Sequence, residues 1–200
     1  MRVGVVGGTF DPIHLGHIAM AAAARDCAGL DRVLLVPSGE PPHRADAIAG
    51  SKERLRMCRL AVEGHPGFEV LDLEVSRPGP SYTVDTLESL TQSRPEDELY
   101  LVLGWDAARD IPLWHRPERV LALTRLVIVS RPGWPEPQPQ DLRAAGIDPA
   151  RALLCRAETP DIEAREIRRR LEEGEALDGL LDPRVALHLR QHRLYPAPTA

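Results

Sequence analysis

Residues 7–17 read Gly7-Gly8-Thr9-Phe10-Asp11-Pro12-Ile13-His14-Leu15-Gly16-His17, and this stretch decides the fold. It follows an apolar run, Val3 to Val6, that reads as a short buried strand. It precedes Ile18 to Ala28, an alanine-rich run that reads as a helix. The stretch is therefore a strand-to-helix turn. Glycines there let backbone approach a ligand without interference from a β-carbon. A helix amino end presents unpaired N–H groups and positive dipole potential, which suits a phosphate. His14 and His17 add two imidazoles to the same turn. The stretch lacks both the GxxxxGK[ST] pattern and the GxGxxG pattern of the common nucleotide loops. An isolated His-x-x-His reads first as a capped helix start. A zinc site is the weaker alternative, because no third ligand lies nearby in sequence.

Working outward, strand-like and helix-like runs alternate. Arg32–Val36 and Leu99–Leu103 are apolar strands, as are Leu126–Val129 and, more weakly, Ala152–Leu154. Phe68–Val75 reads as extended. Helices are expected at Gly16–Ala28, Ser51–Glu63 with Ser51 as N-cap, Thr83–Thr91, Pro117–Leu123, Glu163–Glu173 and Pro183–His192, the last started by Asp182. Pro37–Gly50 and the proline-rich Arg131–Pro149 read as long loops. Alternation of this kind predicts an α/β fold: one Rossmann-like domain over residues 1–200, with a parallel sheet covered by helices on both faces. Ligands in such sheets gather at the carboxyl ends of the strands, where Gly7–His17 lies.

Composition narrows the class. The chain has 200 residues, 43% of them hydrophobic and 28% charged, which suits a soluble globular domain. A net charge of −5 gives no basic field for nucleic acid. Nothing reads as a signal peptide or membrane span. Cys27, Cys58 and Cys155 are widely spaced and odd in number, which fits reduced thiols in the cytoplasm better than disulfides or a zinc site. The arginines of 165–170 are flanked by Glu163, Glu166, Glu172 and Glu173, as on a solvated helix face. Oligomeric state stays open, a homo-oligomer included.

GGTFDPIHLGH resembles the signature of the nucleotidyltransferase superfamily related at its active site to class I aminoacyl-tRNA synthetases. Its TFDP-I-H form is similar to bacterial nicotinate-nucleotide adenylyltransferases. The resemblance implies catalytic roles for His14 and His17, and ATP contacts from Gly7, Gly8, Thr9, Phe10 and Gly16. Pro37-Ser38-Gly39-Glu40-Pro41-Pro42-His43-Arg44 is a stiff proline loop. It resembles a family loop that closes near the triphosphate, with Arg44 in place of the usual lysine.

Glu74–Leu87, EVSRPGPSYTVDTL, sets hydroxyls at a helix start, where ordinary capping by Ser81 or Thr83 is the plain reading. It also resembles the family's pyridine-nucleotide segment, which implies that Thr83 and Thr86 hold a nicotinate carboxylate, largely through backbone groups. Gly104-Trp105-Asp106 matches a G-x-D strand end that implies ribose or ATP contacts for Gly104 and Asp106. Trp114 has the flat face to stack on a heterocycle, and it matches the family tryptophan that stacks on the pyridine ring. Arg131, in Val129-Ser130-Arg131-Pro132-Gly133, is implied as a phosphate ligand. Leu194-Tyr195 also looks familial. One block departs. Where the family has I-S-S-T-x-I-R, this chain has Ile162-Glu163-Ala164-Arg165-Glu166-Ile167-Arg168. Ile162 and Arg168 keep the ATP frame, and Arg165 is the candidate replacement for the missing hydroxyls.

The resemblance implies adenylyl transfer from ATP to nicotinate mononucleotide, with Mg²⁺ held mainly by ATP phosphates and no metal ligands from the protein. Two alternatives stand beside it. One is another adenylyl- or cytidylyltransferase, such as the phosphopantetheine enzyme. The other is a nucleotide-binding sensor without catalysis.

Overall fold

Six apolar runs form one parallel sheet with the strand order β3-β2-β1-β4-β5-β6. The strands are β1 (Arg2–Gly8), β2 (Arg32–Pro37), β3 (Phe68–Val70), β4 (Glu98–Gly104), β5 (Arg125–Ser130) and β6 (Ala152–Arg156). The computed structural model describes residues 1–42, 47–130, 136–157 and 159–195. The helices are α1 (Leu15–Ala28), α2 (Ser51–Val62), α3 (Thr83–Ser93), α4 (Trp105–Ala108), α5 (Pro117–Leu123), α6 (Pro139–Ala144), α7 (Ala164–Glu172) and α8 (Pro183–Gln191).

Alternation along each strand splits the apolar side chains between two cores. Val6, Val33, Leu35, Val102, Val127 and Val129 pack under α1, α2, α7 and α8. Val3, Val5, Leu34, Val36, Leu101 and Ile128 pack under α3, α4, α5 and α6. The sheet is thus covered on both faces, which is why its strands read as continuous apolar runs. β1 pairs with β2 on one side and β4 on the other. The strand order reverses there, and a crevice opens at the carboxyl ends of β1 and β4.

Several sequence expectations need correction. β3 ends at Val70, and the rest of Phe68–Val75 turns away instead of extending. Gly50, not Ser51, is the N-cap of α2, and no side chain caps that helix. The proline-rich stretch after β5 is not all loop. α6 starts with Pro139 at its first turn, and Asp141 accepts a hydrogen bond from the Gln138 N–H at 2.7 Å. Leu142, Ala145 and Ile147 then enter the second core. Proline disfavours helix interiors but suits the first turn, and that distinction was the available signal. Asp182 does cap α8, accepting from Arg184 N at 2.8 Å.

The expectation of reduced thiols also fails. Cys27 and Cys155 form a disulfide with Cα atoms 6.0 Å apart, although 128 residues separate them in sequence. α1 lies across β5 and β6, which brings its last turn to the sheet edge. Sequence spacing carries no trace of that crossing. Cys58 is a buried free thiol, and burial pushes its pKa up. Among the described residues no helix is long and apolar enough to cross a membrane.

Candidate active site

Two clefts open at the ends of the β1–α1 turn. The larger, about 420 Å³, is lined by Gly7, Gly8 and Thr9 on one side and by Ser81–Thr83, Thr86 and Trp114 on the other. The smaller, about 20 Å³ and so no larger than a water-sized group, is lined by His14, Gly16, His17 and Met20 from the start of α1, with Val129 from β5 and Thr159, Pro160 and Ile162. Gly7 and Gly8 thus face one cleft, and Gly16 with the two histidines faces the other.

His14 is the N-cap of α1 and is buried. Its backbone N–H donates to Nδ1 of His17 at 3.3 Å. An imidazole nitrogen that accepts this bond carries no proton, so the neutral His17 ring holds its proton on Nε2. The two rings stack with centroids 3.7 Å apart. Phe10 is buried and meets the His17 ring edge-on at 5.0 Å. Its side chain supports His17 from the core side. Gly16 sits in close packing: a β-carbon there would lie 3.0 Å from His14 Nδ1 and 3.3 Å from the Pro160 carbonyl, so the neighbours would have to give by a few tenths of an ångström.

Behind the turn lies a buried polar group that sequence reasoning missed. Arg54, on α2, donates to the carbonyls of Thr9 at 2.7 Å, Ala49 at 3.0 Å and Gly39 at 3.0 Å. Burial lowers its pKa, and nearby Asp11 opposes that shift. One guanidinium therefore ties the β1 turn to both described stems of the loop after β2. The predictive signal was thin, since an arginine on an amphipathic helix ordinarily faces water.

In the larger cleft, α3 points its amino end inward at Thr83. Tyr82 is the N-cap and no side chain caps this helix. Ser81 instead accepts from Gly39 N at 2.8 Å, which stitches the β2 loop to the α3 start. Gly39 packs against the Glu74 carbonyl where a β-carbon would collide. Thr86 lines the cleft, but its hydroxyl donates to Glu74 Oε1 at 2.6 Å and its N–H bonds the Tyr82 carbonyl. Of the two threonines, Thr83 has the exposed end. Trp114 follows the buried Ile111 and is half-buried at the cleft wall, beside Tyr82 and His115, whose rings stand 4.3 Å apart. The described lining includes two acids, Glu74 and Asp110, and no lysine or arginine. Burial pushes the Glu74 carboxyl pKa up, which moves it toward a neutral acid that tolerates an anion nearby.

The remaining candidates are more scattered. Asp106 is exposed, with its carboxylate folded back over Gly104 at the end of β4, and neither residue lines either of the two clefts described. Arg168 donates from Nη1 to the Asp11 carbonyl at 2.7 Å. Arg165 is 79% exposed and bonded to Glu163, the N-cap of α7. The structure does not bring Arg165 to the turn with Arg168, because the Glu163 carboxylate holds it on the solvent side. Arg44 and Arg131 lie outside the described residues. Among the described residues no group of three or more His, Cys, Asp or Glu side chains could hold a metal ion.

A family model described as cytidylyltransferase-like matches residues 5–170. A Dehalococcoides mccartyi protein named "Probable nicotinate-nucleotide adenylyltransferase" is 38% identical over 199 residues, covering 98% of this chain and 97% of its own. A Thermus thermophilus protein of the same name is 41% identical over 197 residues, covering 98% and 100%. In three dimensions the chain is similar to Plasmodium falciparum nicotinic acid mononucleotide adenylyltransferase complexed with NaAD. The TM-score is 0.81 at 18% identity, covering 97% of each chain. That likeness establishes the shared fold.

Proposed function

The chain belongs to the cytidylyltransferase-like family, and we propose that within it this protein transfers the adenylyl group of ATP to nicotinate mononucleotide. The products are deamido-NAD and pyrophosphate, in a step of NAD biosynthesis. The observation that carries the reading is one turn whose glycines line a cleft of about 420 Å³ and whose two histidines stack beside it. Full-length relatives named for this activity support it.

The mononucleotide is assigned to the larger cleft. Thr83 at the α3 amino end offers N–H donors to the nicotinate carboxylate, and Trp114 supplies a face for the pyridine ring. ATP is assigned to the His14 side of the turn, its phosphates lying between the backbone of Gly7, Gly8 and Thr9 and the group of His14, Gly16 and Ile162. The nucleophile is a phosphate oxygen of the mononucleotide. A phosphate monoester is already largely dianionic at neutral pH, its second pKa being about 6, so no general base is required. That oxygen bonds to the α-phosphorus of ATP, and the bond to the bridging oxygen breaks with its electron pair leaving on pyrophosphate. The protein's work is alignment and stabilisation of the departing charge. His17 Nε2–H is the donor best suited to that charge, and Arg168 keeps N–H groups beyond the one spent on Asp11. Mg²⁺ enters with its substrate as Mg–ATP, held by phosphate oxygens and water.

The test is pyrophosphate release from Mg–ATP offered with nicotinate mononucleotide, its amide or phosphopantetheine. Release with the nicotinate compound above the others is expected. Preference for phosphopantetheine moves the chain to another branch of the family. ATP binding without release from any acceptor makes it a sensor.

A further inference from the structure

Leu194-Tyr195 is a familial element to which the proposed reaction gives no task. The structure connects it directly to the catalytic turn. Tyr195 is 4% exposed, and its hydroxyl donates to Asp11 Oδ1 at 2.6 Å across 184 residues of sequence. Asp11 lies within the turn, three residues before His14. Its carboxylate also accepts from Ile48 N at 2.9 Å and Ala49 N at 3.1 Å, the returning stem of the loop after β2. Its backbone carbonyl accepts from Arg168 Nη1 at 2.7 Å. That same Nη1 stands 4.0 Å from Asp11 Oδ2, outside hydrogen-bond reach. Burial and the adjacent Asp11 carboxylate raise the Tyr195 pKa, so the hydroxyl keeps its proton and remains a donor.

We infer that Tyr195 is a positioning residue for the ATP subsite, acting through Asp11 on Arg168. A carboxylate buried among the turn, α7 and the chain's end needs its lone pairs filled. Tyr195 and Ala49 donate to Oδ1, and Ile48 donates to Oδ2. Arg168 is then free to bond the carbonyl and to keep its remaining N–H groups for phosphate. Without the hydroxyl, Oδ1 loses its shortest donor in a site closed to water, and Arg168 is the nearest cation. The arginine shifts from the carbonyl toward the carboxylate and loses its aim at the triphosphate. This inference rests on the proposed assignment of ATP to the His14 side of the turn.

Tyr195→Phe removes one oxygen and leaves the buried ring. Two readouts at 25 °C, on protein shown folded by circular dichroism, test the idea: the Kd of Mg–ATP by calorimetry without acceptor, and KM for each substrate. The Kd and the KM for ATP should rise about tenfold, the size of one strong hydrogen bond to a charged group, with KM for the mononucleotide within twofold. In an Arg168→Ala background the same change should add nothing further to the Kd, because the effect passes through that arginine. A Kd within twofold of wild type, with only the melting temperature lowered, makes Tyr195 purely structural and overturns the inference. An equal further loss in the Arg168→Ala background overturns the route through Arg168. The calorimetric arm does not depend on catalysis, so an inactive wild-type chain sinks the proposed function without deciding this one. Should the variant fail to fold, the wild-type amides of Ile48 and Ala49 provide the test by reciprocity. Their hydrogen exchange slows on binding Mg–ATP if the Asp11 group and the nucleotide are coupled, and unchanged exchange refutes the coupling.

Discussion

Replacing His17 with alanine separates catalysis from stability in a way the geometry makes quantitative. The stability side nearly cancels. The bond from His14 N to His17 Nδ1 is long at 3.3 Å, and such a bond contributes about 0.5 kcal/mol. The edge contact with Phe10 and the stack on His14 add roughly 0.5 kcal/mol each. Against these, alanine in the first turn of α1 gains up to about 0.7 kcal/mol of helix propensity over histidine. The net change in unfolding free energy should stay below about 1 kcal/mol. The kinetic side has no such offset. Removing the Nε2–H donor should cost about 2–4 kcal/mol of transition-state stabilisation, or roughly 30- to 1000-fold in kcat. Urea denaturation gives the first quantity and pyrophosphate release at saturating substrates gives the second. A folded His17→Ala variant with kcat within threefold of wild type refutes the assignment. So would a loss of kcat matched by a large loss of stability, which would make the ring a packing element.

Other outcomes follow from the same geometry. Arg165→Ala should leave the KM for ATP unchanged, because Arg165 is exposed and held by Glu163, while Arg168→Ala should raise it; a rise in the Arg165 variant would show a clamp that forms only with nucleotide bound. Glu74 holds its proton more tightly folded than unfolded, so wild type should lose stability relative to Glu74→Gln as pH climbs from the ordinary carboxylate range through the raised value; a stability difference that stays constant from pH 4 to pH 8 contradicts the shift. Reducing the Cys27–Cys155 disulfide should lower stability by about 2–4 kcal/mol, as expected for a long loop, with kcat of the folded enzyme retained; an unchanged urea midpoint after reduction would show that the cross-link contributes nothing. The acid mononucleotide should be used at least about tenfold more efficiently than the amide, since an amide nitrogen would meet the α3 donors with its own hydrogens; equal kcat/KM for both would remove Thr83 from the substrate site.

The β1–α1 turn was legible because its information is local. Strand, glycines and histidines adjoin in sequence, and backbone geometry does the rest. The parallel sheet was legible for a related reason: strands buried on both faces read as unbroken apolar runs. What the sequence hid is tertiary. Arg54 looks like any surface arginine of an amphipathic helix until three carbonyls converge on it. Asp11 reads as one letter of a motif until Ile48, Ala49 and Tyr195 arrive to fill its oxygens. The Cys27–Cys155 disulfide depends on a helix crossing two strands, which no spacing encodes. Arg165 stands three residues before Arg168 on α7, and its pairing with Glu163 on the exposed side is tertiary detail of the same kind.

Adenylyl transfer at one turn is tested most directly by the product balance of the wild-type chain incubated with Mg–ATP and nicotinate mononucleotide. Mass spectrometry and a phosphate assay on the same sample should find deamido-NAD and pyrophosphate formed in equal amounts, with the ATP α-phosphorus in the dinucleotide. AMP without dinucleotide, dinucleotide formed only from another acceptor, or no pyrophosphate at all would contradict the account.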